Sequence, residues 1–436
     1  MRPSSLAFYR PAAARVVLLT LIAGGLLACP VSVRADVISD WNQIALNTIA
    51  ATNGAPPPSA RTLAMLSTAV YNAANGAGGN VPLYGGMSAG PAGADATAAA
   101  AQAARDVLAY AYPALAASFD SALTAQLAAI PDSAAKAAGR TYGSSAASYT
   151  IASRASDGAS AAASHTPSPL PGRWVPTGAL TTPLFQQFAH VTPWAMTATT
   201  QFRPPAPPAY GSPAYLAAVA EVRTIGQNTS LTRTPEQSDI ALLWAAGGGS
   251  VTPPGMWNQI AQQAAAGRGF SIQQTSRMFA LLNIALADAA VVSWDAKVFY
   301  DTCRPVTACA ADDPAWQSFI TTPQFQTYTS GHSTFSGAAA EVLAGFFGSD
   351  AMNFTATNHD GSITRSFASF SAAAAEAGMS RIYGGIHFNF DNTAGLESGG
   401  ALGAYVANTM LIPAPGSAAA LLVLGALAAR RRRRAN

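Results

Sequence analysis

Charge is what this chain of 436 residues has least of, because Asp, Glu, Lys and Arg together make up 10% of it while half of its residues are hydrophobic. That scarcity excludes a disordered polyelectrolyte and leaves enough apolar material for a sizeable core. Runs of alternating β-branched residues are also few and alanine is abundant, a balance that predicts packed helices over sheet. No internal repeat of fixed period stands out. A basic surplus is missing too, although the formal charge is +3. Four arginines lie in residues 1–35 and five in 430–434, where no acidic residue occurs; the remainder holds 15 basic against 21 acidic side chains, a net of −6. With no basic stripe interleaved with aromatics, no nucleic-acid partner is expected.

The two ends read as processing segments. Arg2, Arg10 and Arg15, an apolar run from Val16 to Ala28 and the small-residue site Val33-Arg34-Ala35 predict a signal peptide over residues 1–35 and an exported protein, in the periplasm, cell envelope or extracellular space. Leu26-Leu27-Ala28-Cys29 is the alternative, a lipobox-like cleavage, with Leu27 a poor fit and Pro30 following. Cleavage after Ala35 leaves two cysteines, Cys303 and Cys309; a disulfide and a pair of reduced thiols both remain open, since spacing does not fix geometry. At the other end, Ile412-Pro413-Ala414-Pro415-Gly416 precedes an apolar stretch, Ala418 to Ala429, and the arginines 430–434. That stretch is shorter than the roughly 20 residues of a membrane-spanning helix. The order of Pro-rich motif, short apolar helix and arginine cluster resembles the PEP-CTERM class of bacterial sorting signals, which implies envelope sorting machinery as a partner of segment 411–436.

Between the ends, apolar residues at helical spacing predict helices over Asp36–Ala51 and Ala60–Asn75, then Ala94–Tyr112, Leu115–Ala129 and Ser133–Arg154, within an N-terminal helical region 36–164. Residues 165–213 are dense in proline, which excludes a continuous helix; Trp174, Phe185, Phe188, Trp194 and Phe202 predict an extended connection that packs down. A C-terminal helical bundle, 214–410, is expected from Pro213–Ile225, Pro235–Ala246, Ile272–Phe299, Ser333–Phe347, Ser366–Arg381 and Thr393–Met410.

Six polar residues in that last part form three pairs: Lys297 with Arg304, Ser330 with His332, Arg381 with His387. Lys297 and Arg304 are two turns apart if one helix carries both, with Trp294 and Phe299 bracketing Lys297 and Pro305 ending the helix. Ser330-Gly331-His332 precedes a helix expected from Ser333, so unpaired amides and the positive end of a dipole face an anion there, and Gly331 admits close approach. If His387 opens a helix after the break at Gly384-Gly385, Asp391 lies on the same side and holds one ring nitrogen, leaving the other free. Two arginines, a lysine, a serine and backbone amides suit a phosphate- or vanadate-like oxyanion. His165, His190 and His359 lack such neighbours.

The pattern K-x6-RP, SGH, R-x5-H-x3-D resembles the vanadium-dependent haloperoxidases of the type 2 phosphatidic acid phosphatase superfamily. WNQIALNTIAA, ARTLAMLSTAVYNAAN, QFRPPAPP, YTSGHSTFSGAAAEVLAGFFG and SRIYGGIHFNFDN extend the resemblance to the bacterial branch over most of residues 37–410. It implies an all-α fold of two four-helix-bundle-like halves with the anion site in the C-terminal one. It implies vanadate as cofactor, with His387 as the metal ligand. Lys297, Arg304, Ser330, Gly331 and Arg381 would bind vanadate oxygens, His332 would act as acid-base group, and Trp294 and Phe325 would flank the anion. The implied reaction uses hydrogen peroxide to oxidise a halide to a hypohalous species that halogenates a small organic acceptor. Two readings compete: an acid phosphatase acting through a phosphohistidine at His387, because phosphate fits the same donors, and a non-catalytic envelope protein that keeps the fold. Phe325, Tyr328 and Ser333 border the site without fixing halide preference.

Overall fold

Local chemistry sets most helix starts. In the computed structural model, which describes residues 36–79 and 82–411, Asp36 caps α1 (Val37–Ala51) and Pro56 opens α2 (Pro56–Ala77). Asp95 and Ser133 cap α3 (Ala96–Ala111) and α5 (Ala134–Arg154), with α4 (Ala116–Ala128) between them. The signal peptide expected over 1–35 and the sorting motif expected from Ile412 onward lie outside the described residues.

After α6 (Pro213–Ile225) and α7 (Pro235–Leu243), α8 (Thr252–Ala265) leads into α9 (Ile272–Tyr300), which starts on a Ser271/Gln274 capping box. Helix α9 is long and apolar enough to cross a membrane, but its most apolar stretch is wholly buried in the protein, as in a core helix. It packs against α2 on one side and against α11 (Gly331–Phe347) on the other, so one apolar core runs from Val37 to Leu411. The short α10 (Pro305–Ala310), α12 (Phe370–Tyr383) and α13 (Asn389–Thr409) complete the helices.

Helix α13 approaches α11 so closely that only glycine fits the seam. A Cβ on Gly399 would lie 2.2 Å from the Thr334 carbonyl oxygen, and one on Gly403 2.5 Å from that of Ala338. That approach lets Ser330 N–H donate to the Asp391 carbonyl at 3.1 Å, fixing the start of α11 against the start of α13.

The Pro-rich segment packs down on the bundle: Trp174, Phe188 and Trp194 are buried, with Phe185 and Phe202 partly so. Its tightest anchor is Asp288 of α9, whose carboxylate accepts the N–H groups of Trp194, Ala195 and Met196 at 2.7, 2.8 and 3.0 Å.

Several sequence expectations change. Helices α8 and α10 were not expected, and Pro305, expected to end a helix, is the first residue of α10. Among the described residues the helices are interrupted by an antiparallel hairpin, β1 (Ala351–Thr357) and β2 (Thr364–Ser369), so the helix expected from Ser366 begins at Phe370 instead. Its signal was present: Phe354, Ala356 and Phe367 alternate inward around an Asp360-Gly361 turn. Phe299 does not bracket Lys297 in the core but is 58% exposed, beneath the Arg203 guanidinium. Cys303 and Cys309 are buried free thiols.

Candidate active site

Four chain breaks bring the motif residues together. Helix α9 ends at Asp301, which adopts the left-handed conformation, so Lys297 and Arg304 do not share a helix as expected; Arg304 is the N-cap of α10. Ser330 caps α11, which starts at Gly331, two residues earlier than expected. Gly385, at φ +76°, turns the chain between Arg381, in the last turn of α12, and His387, two residues ahead of α13. His387 therefore precedes its helix rather than opening it, yet Asp391 still faces it.

The resulting cluster is deeply buried. Lys297, Arg304, Ser330 and Asp391 are fully enclosed, Arg381 and His387 are each 3% exposed, and His332 is half-buried. Asp391 Oδ2 accepts from His387 Nδ1 at 2.9 Å and from Phe388 N–H at 3.0 Å, and it also accepts the Thr327 hydroxyl. Arg304 Nη1 lies 3.1 Å from His387 Nε2, and since arginine can only donate, Nε2 is the acceptor and Nδ1 carries the proton. The network thus holds a neutral imidazole with its Nε2 lone pair toward the cationic side. Burial, then the charges of Arg304, Lys297 and Arg381, keep His387 well below the usual histidine range.

His332 has the opposite tautomer. Its Nε2 is 2.9 Å from the Trp244 carbonyl, which can only accept, so Nδ1 is the free basic nitrogen. Burial and the neighbouring Arg381 keep His332 well below its ordinary range as well. The same carbonyl accepts from Arg381 Nη1 at 3.1 Å, so one backbone oxygen orients both groups. Behind it, Trp244 Nε1 donates to Glu376 at 3.1 Å, and Arg365 ties Glu376 to Glu236.

Lys297 is placed differently from its expected role. All three of its ammonium donors go to main-chain carbonyls, Gln326 at 3.1 Å, Thr327 at 2.9 Å, and Thr329. It holds the loop leading to Ser330 and contributes charge at short range. Burial, then Arg304, lowers its affinity for a proton well below the lysine norm. Desolvation likewise brings Arg304 and Arg381 down to about 9 and pushes Asp391 up to about 6.

Trp294 and Phe325 do flank the cluster, with rings 5.2 Å apart and the Arg304 guanidinium 4.7 Å from the Phe325 ring centre. Sequence reasoning did not find Thr327 or the Trp244 carbonyl. Gly331, His332, Arg381 and His387 form the floor of a cavity of about 640 Å³.

The donor set fits an oxyanion cofactor. Three buried basic groups face one carboxylate, a charge imbalance that burial makes costly unless an anion completes it. Arg304 Nη2 and Arg381 Nε are buried without any hydrogen-bond partner, which is what unfilled anion contacts look like. Among the described residues no group of three or more His, Cys, Asp or Glu could hold a bare metal ion. The same donors suit a metal that comes as an oxyanion, with the Nε2 lone pair of His387 among them.

Comparison with known proteins points the same way. Residues 277–412 match the family model of the VCPO second helical-bundle domain. The chain is 29% identical over 145 residues to the vanadium chloroperoxidase of Curvularia inaequalis, a stretch that is 27% of this chain and 24% of that protein. Among solved structures it resembles the first bacterial vanadium-dependent iodoperoxidase, with TM-score 0.77 and 26% identity over 86% of this chain and 96% of that one. A holo-type bacterial vanadium-dependent chloroperoxidase shares the fold at TM-score 0.66 and 15% identity, over 83% and 96% of the two chains. The chain therefore has the helical-bundle fold of the vanadium haloperoxidases, and that family is the one its sequence and structural likenesses support.

Proposed function

We propose that this protein is a vanadium-dependent haloperoxidase, which uses hydrogen peroxide to oxidise a halide to a hypohalous species that halogenates a small organic acceptor. The observation that carries the reading is the buried, uncompensated set of Lys297, Arg304 and Arg381 around the Nε2 lone pair of His387. Vanadate, when bound, would supply a Lewis acid that activates peroxide without changing its own oxidation state. His387 Nε2 would make the direct bond to it, with the ring held by Asp391 and Thr327. Arg304 and Arg381 would turn their unspent N–H groups to the oxyanion, and the Ser330 hydroxyl and the amides at the start of α11 would join them. His332 Nδ1 would take a proton from incoming peroxide and return it later, while the Trp244 carbonyl holds Nε2–H.

A second reading, an acid phosphatase, rests on the same dyad: a neutral His387 oriented through Nδ1 by Asp391 is also a nucleophile toward phosphorus. Loading purified protein with vanadate at rising phosphate decides between them. One tightly held vanadate per chain, displaced by phosphate, with bromide- and peroxide-dependent turnover supports the haloperoxidase. Hydrolysis of p-nitrophenyl phosphate without vanadate retention supports the phosphatase instead. Export and trimming of both ends belong to the same proposal, and intact-mass measurement of protein from the native envelope tests them. A full-length chain in the cytoplasm would overturn that part.

A further inference from the structure

Above its cationic floor, the cavity at the site is walled by apolar side chains. Trp294 and Phe335 are 2% exposed and Ile386 1%; Phe319 and Ile320 are partly buried, and Leu242 stands 43% exposed at the rim. No Asp, Glu or Lys lines it, and Arg381 is its one permanently charged side chain. Its volume of about 640 Å³ sits within the ~300–1,000 Å³ typical of small-molecule sites, far more than a halide and a peroxide need. A cation entering it would be repelled by the floor, and an anion would compete there with the oxyanion. A neutral, apolar molecule does neither and gains from covering aromatic walls.

We propose that this cavity binds the organic acceptor itself, a neutral, electron-rich aromatic or alkene, and that halogenation takes place there rather than in bulk solution. The inference rests on the haloperoxidase reading of the floor. In the first step peroxide and a halide, with one proton, give a hypohalous acid and water, so the halide loses two electrons and the O–O bond breaks. In the second, a ring or alkene carbon of the acceptor takes the halogen and the O–halogen bond breaks. For an aromatic acceptor, the displaced ring proton and the hydroxide leave as water; for an alkene, the hydroxide adds to the second alkene carbon and gives a halohydrin. Phe319, Phe325 and Phe335 hold the acceptor over the floor during this step.

Two measurements separate failure of this inference from failure of the function beneath it. Equilibrium dialysis of 1-methoxynaphthalene and of 4-methoxybenzenesulfonate against protein whose anion site is filled with vanadate or phosphate, without peroxide, tests binding without turnover. Saturable binding of one neutral molecule per chain is expected, with the sulfonate bound at least about tenfold more weakly, and Leu242→Asp at the rim should weaken the neutral probe about tenfold. Absence of saturable binding, or equal binding of both probes, overturns the proposal. The second measurement gives both probes together to the vanadate-loaded enzyme with bromide and peroxide and compares the product ratio with that from added hypobromous acid. Enrichment of the neutral product, lost in Leu242→Asp, supports binding in the cavity. A ratio equal to that of free hypobromous acid overturns it and leaves the haloperoxidase standing. No bromide oxidation at all removes the function, and the dialysis result then decides the cavity alone.

Discussion

Asp288 and Asp391 are both wholly buried carboxylates pushed up to about 6 by desolvation, yet they sit in regions that use burial in opposite ways. At the strap anchor, both oxygens of Asp288 are taken by backbone N–H groups, and nearby Asp157 is paired with Arg61 at 2.8 Å. At the cavity floor, Oδ2 of Asp391 holds a histidine, a threonine and an amide while Oδ1 has no partner, and two guanidinium nitrogens beside it are also unspent. A satisfied buried charge fixes the path of the chain. An unsatisfied cluster of buried charge costs stability until a ligand arrives, so it marks the place where a ligand belongs.

The strongest way to break this contrast is to remove the one nitrogen that would bond the metal. His387→Ala should abolish vanadate retention and halide oxidation together while circular dichroism still reports the helical fold; stoichiometric vanadium in the variant would overturn the assignment. His332→Ala comes next. It should leave vanadate affinity measurable and lower turnover by roughly 100- to 10,000-fold, the usual contribution of a general acid-base group. Turnover equal to wild type would move the proton role elsewhere.

Side-chain identity made most of the floor legible in the sequence, because lysine, arginine, serine and histidine in the pattern K-x6-RP, SGH, R-x5-H-x3-D have few other reasons to cluster. What it could not give was geometry controlled by the backbone. The break at Asp301 puts Lys297 and Arg304 on different elements, and three carbonyls absorb the lysine donors; no side-chain pattern encodes either. The Trp244 carbonyl was hidden for the same reason. Thr327 was overlooked although it lies only three residues before Ser330, since a lone threonine has many structural uses. The helices follow from apolar spacing, whereas the hairpin rests on a short alternation around Asp360-Gly361 that runs directly into the alanine-rich start of α12, where helical composition masks it.

A paired substitution sharpens the comparison. Asp391→Asn should lower turnover or vanadate affinity about 10- to 100-fold, as loss of a histidine-orienting carboxylate does, and should also destabilise the vanadate-free protein, because three buried basic groups then face no carboxylate. Asp288→Asn should affect stability alone, leaving activity per folded molecule unchanged and costing about 1–3 kcal/mol at pH 4, where it weakens contacts to three amides. The pH dependence has a definite sign. Because burial raises Asp288 from 3.8 to about 6, the folded protein holds its proton more tightly than the unfolded chain. Its contribution to stability is therefore present at pH 4 and falls by up to about 3 kcal/mol as pH rises through 6. Asn does not titrate, so the deficit of Asp288→Asn should shrink between pH 4 and pH 7 in urea unfolding. A deficit independent of pH would mean that Asp288 is not protonated in the folded state at pH 4.

The smallest expected effect lies where structural pairing and function meet, at Trp244. Its indole donates to Glu376, itself fixed by Arg365, and its carbonyl orients His332 and Arg381, so a paired, architectural contact sets the aim of two unsatisfied functional groups. Trp244→Phe keeps a buried ring and the carbonyl but deletes the indole N–H. The carbonyl is then less firmly placed, and small misplacements at a reacting centre are costly, so turnover should fall by roughly tenfold. Glu376→Gln retains an acceptor for the indole and should cost less. Nitrogen-15 spectra of histidine-labelled, vanadate-free protein supply a readout that simple destabilisation would not move. The His332 signals should shift from the Nε2–H tautomer toward a mixture in Trp244→Phe, while those of His387, held by Asp391 and Thr327, stay as they are. If the His332 signals do not change while turnover drops, the carbonyl is not what orients the ring, and the link from the ion pairs to the floor is broken.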